Sequence, residues 1–113
     1  KAQYYFNRAN SLTNLESYSA AIHDFDRSID LDPASAYTYF GRGVAKALSK
    51  LSIGAIEDFT KAIEIHPSYA EAYYWRGLET LQINDFEDGC LDLVMAKKLG
   101  YFISNEVIDA RCN

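Results

Sequence analysis

The sequence predicts an all-α fold, a right-handed superhelical solenoid of three antiparallel helix hairpins closed by a terminal helix. Three observations lead there. Pro33 and Pro67 lie 34 residues apart, and Tyr39-Phe40-Gly41-Arg42-Gly43 recurs as Tyr73-Tyr74-Trp75-Arg76-Gly77 at the same offset. A fixed period of that length marks stacked helical units. Within each period the second half is amphipathic: Ala21, Ile22, Phe25 and Ile29 recur as Ala55, Ile56, Phe59 and Ile63, a spacing that places them on one helical face. Finally, a unit this short cannot bury its apolar face alone, so the units must stack, and stacking produces an extended binding surface.

Taken in order, the period divides a single domain, 1–113, into units 2–35, 36–69 and 70–103, with a capping helix at 104–112. Each unit opens with an aromatic-rich helix, carrying Tyr5, Tyr39 and Tyr73 at equivalent positions. The second helix keeps Asp24, Asp26, Arg27, Glu57, Asp58, Lys61 and Glu64 between its apolar positions, which makes it the convex, solvated one. Small residues fall where two helices of a hairpin approach: Ala9 with Ala21, Gly43 with Ala55, Gly77 with Gly89. Pro33 and Pro67 disfavour the helical region for the residue before them and so punctuate the units. In the third unit Leu99-Gly100 supplies a glycine stop, and Ser104 caps a last short helix. Tyr101, Phe102, Val107 and Ile108 are expected to cover the apolar end of the stack. No such cover precedes the first helix, which leaves room for further repeats before Lys1.

Composition narrows the function classes. A 49% hydrophobic content fits one folded domain, and a net charge of −5 argues against a nucleic-acid surface, which needs clustered Lys and Arg. The apolar stretches are far shorter than the roughly 20 residues that span a bilayer, so no membrane segment is expected. The chain begins at Lys1 without Met; a cytoplasmic compartment is slightly favoured, with a removed targeting segment left open. Cys90 and Cys112 lack the spacing or companion histidine of a zinc site and are read as free thiols, a disulfide being the minor alternative. His23 and His66 are isolated, and Asp24, Asp26, Asp30 and Asp32 lack the loop order of a calcium site. Without a GxSxG, an HExxH or a phosphate-cradling glycine loop, the chain is not expected to be an enzyme, and no cofactor or metal is implied.

The occupied motif positions resemble the tetratricopeptide repeat family. They are Tyr5, Ala9, Leu12, Tyr18, Ala21, Phe25 and Pro33; then Tyr39, Gly43, Ala55, Phe59, Ala62 and Pro67; then Tyr73, Gly77, Phe86, Leu93 and Ala96. Departures are Ser28 for a small alanine, Ser52 where Tyr18 and Phe86 put an aromatic, and Gly89 for alanine, which is expected to loosen the third hairpin. The resemblance implies a concave surface lined by the first helix of each unit. A non-catalytic protein-interaction module follows, binding a peptide or protein segment in an aromatic-lined groove. Its site residues are expected to be Phe6, Asn7, Asn10, Tyr37, Phe40, Glu71, Tyr74, Trp75 and Leu78. An architectural, self-associating repeat segment of a larger scaffold is the alternative, with Tyr4, Tyr5 and Phe6 as its interface. Family members that act as chaperone-tail receptors clamp a carboxylate with Lys, Asn and Arg. Here the corresponding positions hold Phe6, Asn10, Gly41, Glu71 and Trp75, of which Asn10 alone fits. Arg8, Arg42 and Arg76, spaced by the period, are expected to pair with acidic residues of adjacent helices rather than form an anion track.

Overall fold

A computed structural model describes residues 1–112. Seven helices account for them: α1 (Ala2–Asn14), α2 (Tyr18–Leu31), α3 (Ala36–Leu48), α4 (Ser52–Ile65), α5 (Ala70–Gln82), α6 (Phe86–Lys98) and α7 (Asn105–Cys112). The pairs α1/α2, α3/α4 and α5/α6 form hairpins, and each hairpin packs its second helix on the first helix of the next. α1 touches α3 and α3 touches α5, whereas α2, α4 and α6 do not touch one another among the described residues. The odd-numbered helices therefore form the inner wall of a curved stack, 45 × 25 × 20 Å along its principal axes.

All three hairpins turn in the same way. Glu16, Lys50 and Asn84, spaced by the 34-residue period, adopt φ of 62°, 68° and 67°. In each, the following amide donates back to a carbonyl of the last helical turn: Ser17 to Leu12 at 2.8 Å, Leu51 to Lys46 at 2.8 Å, Asp85 to Thr80 at 3.1 Å. This closure satisfies carbonyls that the helix end leaves open and places a left-handed residue just beyond it. Gly100, at φ 102°, does the same after α6, with the Tyr101 amide on the Ala96 carbonyl.

Close helix approach explains the small residues at the seams. A Cβ on Gly43 would lie 2.6 Å from a ring carbon of Phe59. In the third hairpin the two backbones themselves meet: a Cβ on Gly77 would lie 2.9 Å from the Gly89 carbonyl, and one on Gly89 2.8 Å from Leu81 Cγ. Gly89 therefore tightens this hairpin, contrary to the loosening expected from helix propensity, because what decides here is the approach of two chains. Ser28 and Ser52 also have specific partners. The buried Ser28 hydroxyl donates to the Ala2 carbonyl at 2.9 Å, and Ser52 donates to the carboxylate of Glu79 at 2.8 Å.

The arginine ladder pairs inward. Arg8 meets Asp24 through two contacts at 2.6 and 2.9 Å, Arg42 meets Asp58 at 2.8 and 2.9 Å, and Arg76 meets Asp92 twice at 2.8 Å. Each bidentate pair ties the two helices of one hairpin. Arg42 also reaches back to Asp26 at 2.7 Å, and Arg76 to the Thr60 hydroxyl at 3.2 Å, so the ladder runs between hairpins as well. The ring of Tyr39 lies under Arg42, and that of Tyr73 under Arg76.

At the C-terminal end, Ile103 is buried, and Tyr101 and Ile108 pack with it against Leu81, Leu93 and Ala96. Phe102 and Val107, expected to join them, stay 89% and 42% exposed; the cover is made instead by Ile103 from the segment entering α7. Cys90 and Cys112 form a disulfide joining α6 to α7. The free-thiol reading fails because the return of α7 over α6 brings together two cysteines 22 residues apart.

Candidate binding groove

The inner wall carries two adjoining hollows. The first, of about 340 Å³, lies between α1 and α3 and is lined by Phe6, Asn10, Thr13, Phe40, Val44 and their neighbours. The second, of about 530 Å³, lies where α5 begins and is lined by Glu71, His66 and Tyr101 among others. Tyr37 and Tyr69 border both, so the two hollows adjoin along this pair. Helix phase explains the set, since residues three and four apart share a face and repeat every period.

The aromatic side chains are braced from behind. Phe6 meets Phe25 edge-on with ring centres 6.2 Å apart, and Phe40 packs on Phe59 and Tyr69 at 5.6 and 5.0 Å. Tyr37, 61% exposed, stands at 71° to the Tyr69 ring. Gly41 contributes by omission: its Cα faces the Phe25 ring, where a Cβ would come within 2.7 Å. Burial pushes the Tyr69 hydroxyl well above the ordinary phenol range, and the Glu71 carboxylate and Tyr37 add to the shift. The Tyr101 phenol is raised for the same first reason, with Tyr74 and Glu71 contributing.

Of the nine residues singled out from sequence, Phe6, Asn10, Tyr37 and Phe40 line the first hollow, and Tyr37 and Glu71 the second. Tyr74 is half-buried with Tyr101 stacked on it at 4.6 Å. Trp75 turns toward the core, 6.2 Å from the Phe59 ring, and Leu78 packs with the third hairpin's core. Asn7 is exposed and accepts a hydrogen bond from Gln3 at 2.9 Å, without bordering either hollow. Sequence reasoning missed Tyr69 and His66, which sit in the connection before α5. Their signal was the position itself, at the joint where one hairpin turns into the next. On the convex side a further hollow of about 490 Å³ lies over the Arg76–Asp92 pair, with both charges already engaged. Among the described residues no group of three or more His, Cys, Asp or Glu is placed to hold a metal, and no helix is long and apolar enough to cross a membrane.

The sequence profile of the tetratricopeptide repeat matches residues 2–35. The chain superposes on the first such domain of Spaghetti (RPAP3) bound to the HSP90 peptide SRMEEVD with a TM-score of 0.92, at 22% identity, over 97% of this chain and 89% of that one. The chain folds as a tetratricopeptide-repeat domain. The domain of Arabidopsis OM64 superposes equally well, with a TM-score of 0.93 at 21% identity over 99% and 93% of the two chains. The TPR2B domain of yeast Sti1, in its complex with pHsp70, gives 0.86 at 21% identity over 96% and 90%. No curated protein matches the chain in sequence.

Proposed function

We propose that the tetratricopeptide-repeat domain binds a peptide segment rich in apolar or aromatic side chains along the two hollows of its inner wall. The observation that carries this reading is the sharing of Tyr37 and Tyr69 by both hollows, which gives a continuous aromatic surface with Asn10, Asn14 and Glu71 as polar contacts. Aromatic side chains held rigid from behind lose little freedom on binding and are frequent energetic anchors of interfaces. Two comparison domains were captured with chaperone segments, one of them the acidic peptide SRMEEVD. The two hollows here hold Glu71 and, among the described residues, no lysine or arginine, so their ligand is of a different charge.

The test is a peptide array read with the wild-type domain beside an Asn10→Ala, Tyr37→Ala double variant. Both side chains are exposed, so the variant is expected to fold. Peptides retained by the wild type and lost by the variant support the reading, and equal retention of every peptide by both rejects it.

A second reading, self-association, is favoured by the outer side of the last hairpin. Phe86, Leu91 and Val94 are exposed there and border a hollow of about 600 Å³ beside the disulfide. At the other end the expected aromatic interface is largely spoken for. Tyr5 stacks with Arg8 and Arg27, Phe6 packs on Phe25, and Tyr4 alone of the three stays mostly exposed. Sedimentation separates the readings: a mass that rises with concentration belongs to the self-associating one.

A further inference from the structure

The second hollow combines rings and charge in a way the first does not. Tyr37 and Tyr69 meet at 71° with ring centres 5.5 Å apart; Tyr37 is exposed, whereas Tyr69 is buried against Phe40 and His66 and backs the corner. Tyr101 borders the same space, backed by Tyr74 in a stack tilted by 32°. Glu71 stands on the rim, exposed and engaged by no hydrogen bond or ion pair among the described residues. Its carboxylate lines the same hollow as Tyr69 and Tyr101 and contributes to the upward shift of both phenols.

Elsewhere in the chain a tyrosine close to an arginine has that arginine over its ring. Arg8 covers Tyr4 and Tyr5, Arg27 covers Tyr5, Arg42 covers Tyr39 and Arg76 covers Tyr73, at 5.2 to 5.7 Å from the ring centres. Among the described residues no lysine or arginine borders the second hollow. Its tyrosine walls and its carboxylate thus offer both halves of a cation site, a negative ring face and a negative charge, and the one basic side chain of the described residues beside them is His66, whose ring centre lies 5.2 Å from that of Tyr69. The space, about 530 Å³, falls within the range of small-ligand sites and admits a long side chain.

We propose that this hollow receives a basic side chain, arginine or lysine, of the bound segment, with the cation held between the Tyr37 and Tyr101 rings and the Glu71 carboxylate, and with the buried Tyr69 bracing Tyr37 from behind. The inference rests on reading the inner wall as a receptor and specifies one residue of its ligand. Arginine is the better fit, because a planar guanidinium stacks on a ring while it donates to a carboxylate. A segment that places an apolar or aromatic side chain between Phe6 and Phe40 would set the basic one beyond Tyr37.

The test is a titration of the ¹⁵N-labelled domain with Nα-acetyl-arginine amide, beside the citrulline analogue, which keeps the shape and loses the charge. Amide shifts confined to residues near Tyr37, Tyr69 to Glu71 and Tyr101 are expected with arginine, and about tenfold weaker binding with citrulline. Glu71→Gln should reduce the arginine affinity by a similar factor. Tyr37→Leu, whose fold is checked by its thermal transition, should reduce it while keeping an apolar wall. Absence of shifts, or equal shifts with arginine and citrulline, overturns the proposal. The peptide array keeps the two readings apart: captured peptides with no basic preference, bound equally by Glu71→Gln, remove the cation site and leave the groove. A site that titrates with arginine on a domain that captures no peptide removes the groove reading instead.

Discussion

Lys50 holds a left-handed conformation that its side chain disfavours, at φ 68°. A residue with a Cβ in that region is strained by about 1–2 kcal/mol, partly offset on replacement by the greater freedom glycine has when unfolded. Lys50→Gly should therefore raise the urea unfolding free energy by about 0.5–1 kcal/mol. Asp24 sets a pH dependence. The Arg8 guanidinium's hydrogen bonds hold its carboxyl below the ordinary value of 3.8, against a burial that acts the other way. A lowered folded pKa means that the unfolded chain takes up the proton first. The stabilisation is thus complete above the ordinary carboxylate range and is lost as the pH falls through the folded pKa. Asp24→Asn should flatten the acid limb of stability against pH, and an unchanged slope would show that the pair contributes nothing. Side-chain direction was the least legible part of the sequence. Helix phase put Phe6, Phe40, Tyr74 and Trp75 on or beside one face, yet only the packed structure shows Trp75 turned onto Phe59 and Tyr74 stacked with Tyr101.

Among helices, the third hairpin is the tightest seam. Gly89→Ala gains helix propensity but drives a Cβ against Leu81 and the Gly77 carbonyl. The collision should prevail, lowering stability by about 1–3 kcal/mol, which a thermal melt beside the wild type would read. The cap depends on its covalent tie. α7 has eight residues, none of them buried, and a helix that short is not stable alone. Reduction by dithiothreitol should release it, seen as rapid amide exchange over residues 105–112 with α1 to α5 unaffected. Persistent protection after reduction would show that Ile108 suffices. The hairpins and the terminal helix were legible because period, glycine seams and prolines all repeat. The disulfide was not, since two cysteines 22 residues apart give no sign of meeting until the turn after Gly100 is known.

For the molecule as a whole, charge separates it from the comparison domain bound to SRMEEVD. That peptide carries three acidic side chains, and the two hollows of the inner wall hold Glu71 and, among the described residues, no lysine or arginine. Fluorescence anisotropy with labelled SRMEEVD should give no saturable binding, and saturation would contradict the charge argument. The arrangement of repeats was readable from the sequence, whereas the ligand class proposed above rests on Tyr69 and Tyr101. These lie in connections that the helical period does not describe.

The Cys90–Cys112 bond also fixes how the domain carries load. A pull on the chain beyond α7 enters α6 at Cys90, so α7 and the turn at Gly100 lie in a closed ring that tension bypasses. About 70 Å of contour is held in reserve inside that ring. It is surrendered on reduction, after which the same pull would unwind α7 from Cys112 back to Ser104 before it reaches the stack.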